Sequence, residues 1–406
     1  MRNRIFLIII GLVICLISQA EDYQIIYQLK KEFYPSLRVR VEVNTKPLNN
    51  FILEESRYYY GDKRPARDVY CANDNTKISY GQPANCELIY WVIDVKRQSV
   101  TGVGARSLED YYLNNGQWTL SESKNFPRII GAAKELVCVD EHGCKPLPSK
   151  EEPFLFWVWG RAPTQVTVAN KQFEIFSDKS AEAINKRMLM VKVEANLRYL
   201  NKVFTSQLGN YIKKPISIVM LERNDRIMED AGGVAQDHVA LINYYTYGYQ
   251  LAEDWEVRFH KTMLHEYVHL LVPCESFSRW ACESLADYYA YKALTVGRLN
   301  TTTLDRWFRL EINNPKNALG MYQIDKKFWQ TGSWNYYSLF YVKGAAFWNE
   351  LDSMLHKKYH NLDSYLHLLV IEPNKYQSNL PQPFVNKIIE IIGEQEYKKL
   401  SAKYLE

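Results

Sequence analysis

The sequence predicts an α+β protein: an N-terminal antiparallel β-sandwich-like module over residues 21–165, then a mixed α/β segment that turns mainly helical, over residues 166–406. Three observations lead there. Short stretches in the first part alternate apolar and polar residues, as half-buried strands do. From residue 254 onward apolar residues recur at helical spacing instead. At 406 residues and 47% hydrophobic, the chain is long enough to bury more than one core.

The first twenty residues read as a secretory signal peptide. Arg2 and Arg4 precede an apolar run of 13 residues, Ile5 to Ile17, and Ser18-Gln19-Ala20 supplies small residues for cleavage after Ala20. That run is short for a membrane helix, which needs about 20 residues. No later stretch is long and apolar enough to span, so the mature chain is expected to be secreted or periplasmic, with no membrane span.

In the β-module, Leu37 to Val43 alternates cleanly, and Cys86 to Asp94 and Phe154 to Trp159 are rich in β-branched and aromatic residues. Gly81-Gln82-Pro83 and Asn114-Asn115-Gly116 mark turns between them. Beyond residue 165, Phe173–Phe176, Ile216–Leu221 and Val239–Ile242 are expected as strands. Ser180 to Leu208 is expected as a helix with its N-cap at Ser180. Further helices are expected near 255–272, 277–296, 303–312, 338–357, 361–371 and 383–403, with Pro273 and Gly297 ending two of them.

Composition excludes several classes of function. Net charge is only +4, with no concentrated basic run, so there is no electrostatic case for a nucleic-acid partner. Gly102-x-Gly104 lacks the rest of a dinucleotide fingerprint, and neither a phosphate loop nor a nucleophile-elbow serine occurs. Without Cys15, the seven cysteines reduce to six, an even number suited to an oxidising compartment. Proximity favours Cys71 with Cys86, Cys138 with Cys144, and Cys274 with Cys282, although other connectivities are open.

The chemistry concentrates in Leu264-His265-Glu266-Tyr267-Val268-His269-Leu270. On a helix, His265 and His269 stand one turn apart on one face, where two neutral imidazoles can bind one zinc ion. Glu266 projects beside the metal and can take a proton from water. Catalytic zinc takes three protein ligands and leaves one position open. Glu283, in Arg279-Trp280-Ala281-Cys282-Glu283-Ser284-Leu285-Ala286-Asp287-Tyr288-Tyr289, can supply the third from the following helix. Asp287, one turn further on, can accept from the outer nitrogen of a ligand histidine and fix its ring. A Cys274–Cys282 bridge would pin Glu283 near the histidines. The plainer alternatives are two packing histidines and a solvated acidic stripe. Against the second, Glu283 lies in an apolar and aromatic stretch, and acids are rarely buried without a partner.

With these residues the sequence resembles the gluzincin zinc metallopeptidases, whose HExxH is followed by a helix reading W-x-x-E-[GS]-x-A-[DE]-Y. Here that is Trp280-x-x-Glu283-Ser284-Leu285-Ala286-Asp287-Tyr288. Two further segments are similar to the aminopeptidase-N-like and glycyl-aminopeptidase-like branches. Ala231-Gly232-Gly233-Val234-Ala235-Gln236 resembles their Gly-rich substrate-edge strand, and Tyr341-Val342-Lys343-Gly344 resembles their Y-x-K-G helix start. The resemblance implies a thermolysin-like catalytic domain with one Zn2+ per chain and Glu266 as general base. It further implies Tyr341 as oxyanion donor, Gly232 and Gly233 lining bound peptide, and an exported peptidase acting on peptides or proteins. The chain departs from those branches in three places. Ala235 stands where aminopeptidases carry the Glu that holds the substrate amine. Only 13 residues separate His269 from Glu283, and Ser284 replaces the common Gly. A second reading is a non-catalytic zinc-containing module that holds peptide or glycan, suited by 30 Tyr and 10 Trp. The retained Glu266 weighs against it, since a structural site needs no base.

Overall fold

A computed structural model of the chain describes residues 24–32, 38–58, 64–97, 110–112, 118–139, 143–150, 152, 156–160, 162–177, 179–209, 212, 214–223, 232–247, 250–272, 274, 277–299, 318–331, 338–371 and 378–406. The expected signal peptide, the helix expected at 303–312 and Ala231 lie outside these residues. The described residues fall into two compact units, one ending at Ala162 and the other beginning at Pro163.

In the first unit, alternation dictates the sheet. Ile25, Tyr27 and Leu29 of Gln24–Glu32, Val39, Val41 and Val43 of Arg38–Asn44, and Ile89, Trp91 and Ile93 of Leu88–Asp94 are all buried. Their neighbours along each strand point the other way, as a two-residue period requires. These strands belong to a seven-stranded sheet. It is not wholly antiparallel: Gln24–Glu32 pairs in parallel with Lys134–Val139, Gln24 opposite Lys134. Smaller sheets of four and three strands complete the unit. Within this unit the carboxylate of Glu122, almost fully buried, accepts from Arg57 and Arg128, so its charge is not left unpaired. Two disulfides, Cys71–Cys86 and Cys138–Cys144, staple this unit.

The second unit begins with a mixed sheet. β1 (Thr164–Val168), β2 (Lys171–Ser177), β3 (Ile216–Arg223), β4 (Gly233–Gln236) and β5 (Val239–Tyr247) lie in the order β1-β2-β3-β5-β4. The β2–β3 and β3–β5 pairs are parallel, and β4 runs antiparallel to β5. β3 is buried at every position from Ile216 to Leu221, Ser217 being the one polar residue among them, as in a strand covered on both faces. β4 thus ends the sheet with Gly233 opposite Ile242.

The helical part follows. α1 (Lys186–Val191) is capped by Asn185, whose Oδ1 accepts from Met188 N at 3.1 Å. α2 (Glu194–Leu208) ends on Gly209 in the left-handed conformation, φ 70°. The single helix expected from Ser180 is therefore three pieces, a 3-10 turn over Lys179–Ala183 and then two α-helices, with Asn185 as the α-helical cap. α3 (Trp255–Leu271) and α4 (Arg279–Val296) are the two motif helices, packed against each other. α5 (Met321–Thr331) was not foreseen, although Met321, Ile324 and Phe328 are buried at i, i+3 and i+7. Phe340–Gly344 is wound as a π turn and leads into α6 (Ala345–His356). The segment 361–371 forms a 3-10 helix, Leu362–Leu369, rather than an α-helix. The last predicted helix divides into α7 (Gln382–Ile392) and α8 (Glu394–Tyr404) at Gly393, whose φ of 90° a helix cannot accommodate. Among the described residues, no helix is long and apolar enough to cross a membrane.

Candidate metal centre

α3 has apolar residues on nearly all sides, with Phe259, Met263, Leu264, Val268 and Leu271 in the core of the second unit. The same burial puts the polar residues of the motif out of water. His265 and Glu266 are 6% and 4% exposed. Groups so placed need partners.

For His265 those partners come from α4. His265 Nε2 and His269 Nε2 lie 3.0 Å apart, with the rings 79° to one another. Glu283 Oε2 is 3.5 Å from the first nitrogen and 3.3 Å from the second. Four ligands about 2.05 Å from a tetrahedral zinc stand roughly 3.3 Å from each other. The three separations match that figure, so the donor set fits zinc in identity and spacing. Electrostatics point the same way. Burial opposes charge on His265, yet Asp287, Glu283 and Glu266 outweigh it and push the imidazole pKa up to about 9. Burial also opposes the Glu283 charge, but the two histidines hold its carboxyl well below the usual range. The acids around His265 favour positive charge between the two helices.

The outer nitrogens of the two histidines face different surroundings. His265 Nδ1 is 3.4 Å from Asp287 Oδ1, and that oxygen accepts a bond from Lys261 Nζ. Despite burial, which works against it, Lys261 and His265 keep the Asp287 carboxyl below its ordinary value. His269 Nδ1 instead abuts the Cys274–Cys282 disulfide, 3.2 Å from Cys274 Sγ and 3.6 Å from Cys282 Sγ. Both contacts limit how the imidazoles turn.

Two further segments close on the motif. β4 passes α3 so closely that a Cβ on Gly233 would come within 2.6 Å of Glu266 Cγ and 2.8 Å of its Cδ. Only glycine leaves room for that carboxylate. Gly232 is buried alongside, its carbonyl accepting from Asn243 N at 3.0 Å. On the other side the π turn brings the Tyr341 ring to 5.5 Å from the His265 ring. Isolated π turns often mark functional sites. This one is held firmly. A Cβ on Gly344 would meet Ser284 Cβ at 2.5 Å, Trp348 Nε1 donates to Ser284 Oγ at 2.7 Å, and Lys343 Nζ donates to the Leu319 carbonyl at 2.5 Å.

The structure thus brings Glu283 to His265 and His269, Asp287 to the outer nitrogen of His265, Gly233 against Glu266, and the Tyr341 ring beside His265. Sequence reasoning did not single out Lys261, Ser284 as a packing partner, or Trp348. Lys261 had a readable signal, because it stands four residues before His265 and so on the same helix face. The Ser284–Trp348 bond joins residues 64 apart and had none.

The fold has solved counterparts. The chain is similar to an aminopeptidase N family protein from Idiomarina loihiensis, with a TM-score of 0.56 at 12% identity over 94% of this chain and 76% of that one. A mutant of a two-domain M1 zinc metallopeptidase bound to L-tryptophan also matches, at TM-score 0.46 and 10% identity, over 94% of this chain and 93% of that one. No protein-family model and no curated protein matches the sequence. At such identity the first likeness shows a shared fold alone, here a mixed α/β chain with N-terminal sheets and a helical C-terminal region.

Proposed function

We propose that this chain is an exported zinc-dependent peptidase whose second unit is a thermolysin-like catalytic domain and whose first unit is a β-sandwich-like module. The observation that carries the reading is the convergence of His265 Nε2, His269 Nε2 and Glu283 Oε2 at separations of 3.0 to 3.5 Å. One zinc per chain fits that donor set. Bound there, zinc supplies Lewis acidity for activating water and polarising a peptide carbonyl.

The remaining roles fall to side chains. Glu266, buried and confined by Gly233, takes a proton from the attacking water and delivers it to the leaving nitrogen. Tyr341, held beside His265 by the π turn, donates to the developing oxyanion. The Gly232–Gly233 segment lets an extended peptide approach the backbone of β4 closely and pair with it as an added strand. Asp287 orients His265. The partner is a peptide or protein. Export follows from the positive, apolar and small-residue pattern of the first twenty residues.

Metal content tests the ligand set directly. Purified mature chain is expected to carry one zinc by elemental analysis, and Glu283→Ala is expected to lose most of it. Unchanged zinc in that variant would place the third ligand elsewhere.

A further inference from the structure

Lys261 stands one turn before His265 on α3, and its side chain is only 17% exposed. Its ammonium points across to α4, where Nζ bonds Asp287 Oδ1. The Asp287 side chain is 1% exposed, and the same Oδ1 lies 3.4 Å from His265 Nδ1. Asp287 Oδ2 has no hydrogen-bond partner among the described residues, so Oδ1 carries the contacts to both Lys261 and His265. A buried carboxylate turns toward whatever donor it can reach. Here Lys261 draws Oδ1 to one place, and that place is beside the outer nitrogen of the imidazole.

We propose that Lys261 is a positioning residue of the metal centre: by anchoring Asp287, it sets the acceptor that orients the His265 ring with Nε2 toward His269 and Glu283. This rests on the reading of those three residues as zinc ligands. Lys261 touches neither metal nor substrate. It acts through Asp287, and Asp287 through His265. Partners of ligand histidines typically govern metal affinity by about 10- to 100-fold. A partner one step further out is expected at the lower end of that range.

The test is zinc affinity of the full mature chain, measured by competition with a chromophoric chelator. The proteins are wild type, Lys261→Met, Lys261→Arg, Asp287→Asn, and the double variant of Lys261→Met with Asp287→Asn. Lys261→Met is expected to weaken zinc binding about 10-fold, and Lys261→Arg to restore most of it. In the Asp287→Asn background, Lys261→Met should cost almost nothing more, because its route to the metal is already cut. Cobalt loading supplies a second readout. The visible absorption bands of bound Co2+ should shift in Lys261→Met and return in Lys261→Arg, which a merely structural role would not produce. Should Lys261→Met fail to fold, Lys261→Gln decides: its shorter amide can still donate to the Asp287 carboxylate but from a different place, so zinc should bind more weakly than in Lys261→Arg, and wild-type affinity there would overturn the inference. Zinc affinity and cobalt bands in the double variant should equal those of Asp287→Asn alone.

Wild-type zinc affinity and an unshifted cobalt spectrum in a folded Lys261→Met chain would overturn the inference and leave the ligand assignment standing. An equal loss in both backgrounds would also overturn it. No zinc binding by the wild type would overturn the ligand assignment itself, and the inference with it.

Discussion

Gly233 and Glu266 occupy one space: a side chain on the first would come within 2.6 Å of Cγ of the second. The edge strand β4 therefore fixes where the motif carboxylate points. Gly233→Ala is expected to push Glu266 aside without touching a metal ligand. Zinc content should stay at the wild-type level while kcat/KM falls by about 10²-fold, as a misplacement of about 1 Å does. Peptide hydrolysis and elemental zinc measured on the same preparation check this; loss of zinc in proportion to activity would refute the assigned cause.

Tyr341→Phe removes one hydroxyl from a ring that the π turn holds 5.5 Å from His265. Loss of an oxyanion donor lowers kcat by about 10²- to 10³-fold. The expected signature is that fall with KM and zinc affinity little changed. A Tyr341→Phe enzyme as fast as wild type would reduce the residue to packing.

The Cys274–Cys282 disulfide closes an eight-residue separation between α3 and α4 and lies against His269. Replacing both cysteines by serine frees a short loop, worth about 2.5 kcal/mol by loop-closure entropy. The folded chain should unfold at lower urea, and zinc should dissociate faster, because Glu283 is no longer tied to the histidine helix. Urea melts and chelator-chase rates check both.

His260 gives the chain a pH dependence that is separable from the metal. Buried at 1% exposure, with Nε2 bonded to the Leu189 carbonyl at 3.0 Å, it is pushed by burial down to about 4. Its folded pKa is below the unfolded one, so the unfolded chain takes the proton first. Stability from this group is full above about pH 6.5 and is lost as pH falls toward 4, by about 3 kcal/mol in all. Urea melts of zinc-free protein at pH 7 and pH 4.5 should show that slope in wild type and a flatter one in His260→Gln. Equal slopes would mean the neutral ring is not under strain of this kind.

Much of this arrangement was readable in the sequence because it is local or periodic. Val39, Val41 and Val43 announce their strand by alternation, and His265 and His269 share a face by helical spacing alone. Glu283 stood out as an acid in an apolar stretch. What stayed hidden depends on contacts between distant residues. The π turn at Phe340–Gly344 arises where Gly344 packs onto Ser284, which no local pattern announces. The breaks at Asn185 and Gly393 had visible signals, a capping side chain and a glycine, which the apolar periodicity running through them obscured. The parallel pairing of Gln24–Glu32 with Lys134–Val139 joins segments about a hundred residues apart, and alternation does not say which strand lies beside which.

The most direct test of the account is cleavage-site mapping on a peptide library by zinc-loaded wild type and zinc-loaded Glu266→Gln. The predicted result is that both proteins carry equal zinc and that Glu266→Gln cuts about 10²- to 10⁴-fold more slowly, the span general acid–base catalysis covers. The positions of the wild-type cuts then assign the mode: internal bonds an endopeptidase, single N-terminal residues an aminopeptidase in which another acid stands in at Ala235. Cleavage by Glu266→Gln at the wild-type rate, or no cleavage by wild type with zinc in place, would contradict the central claim.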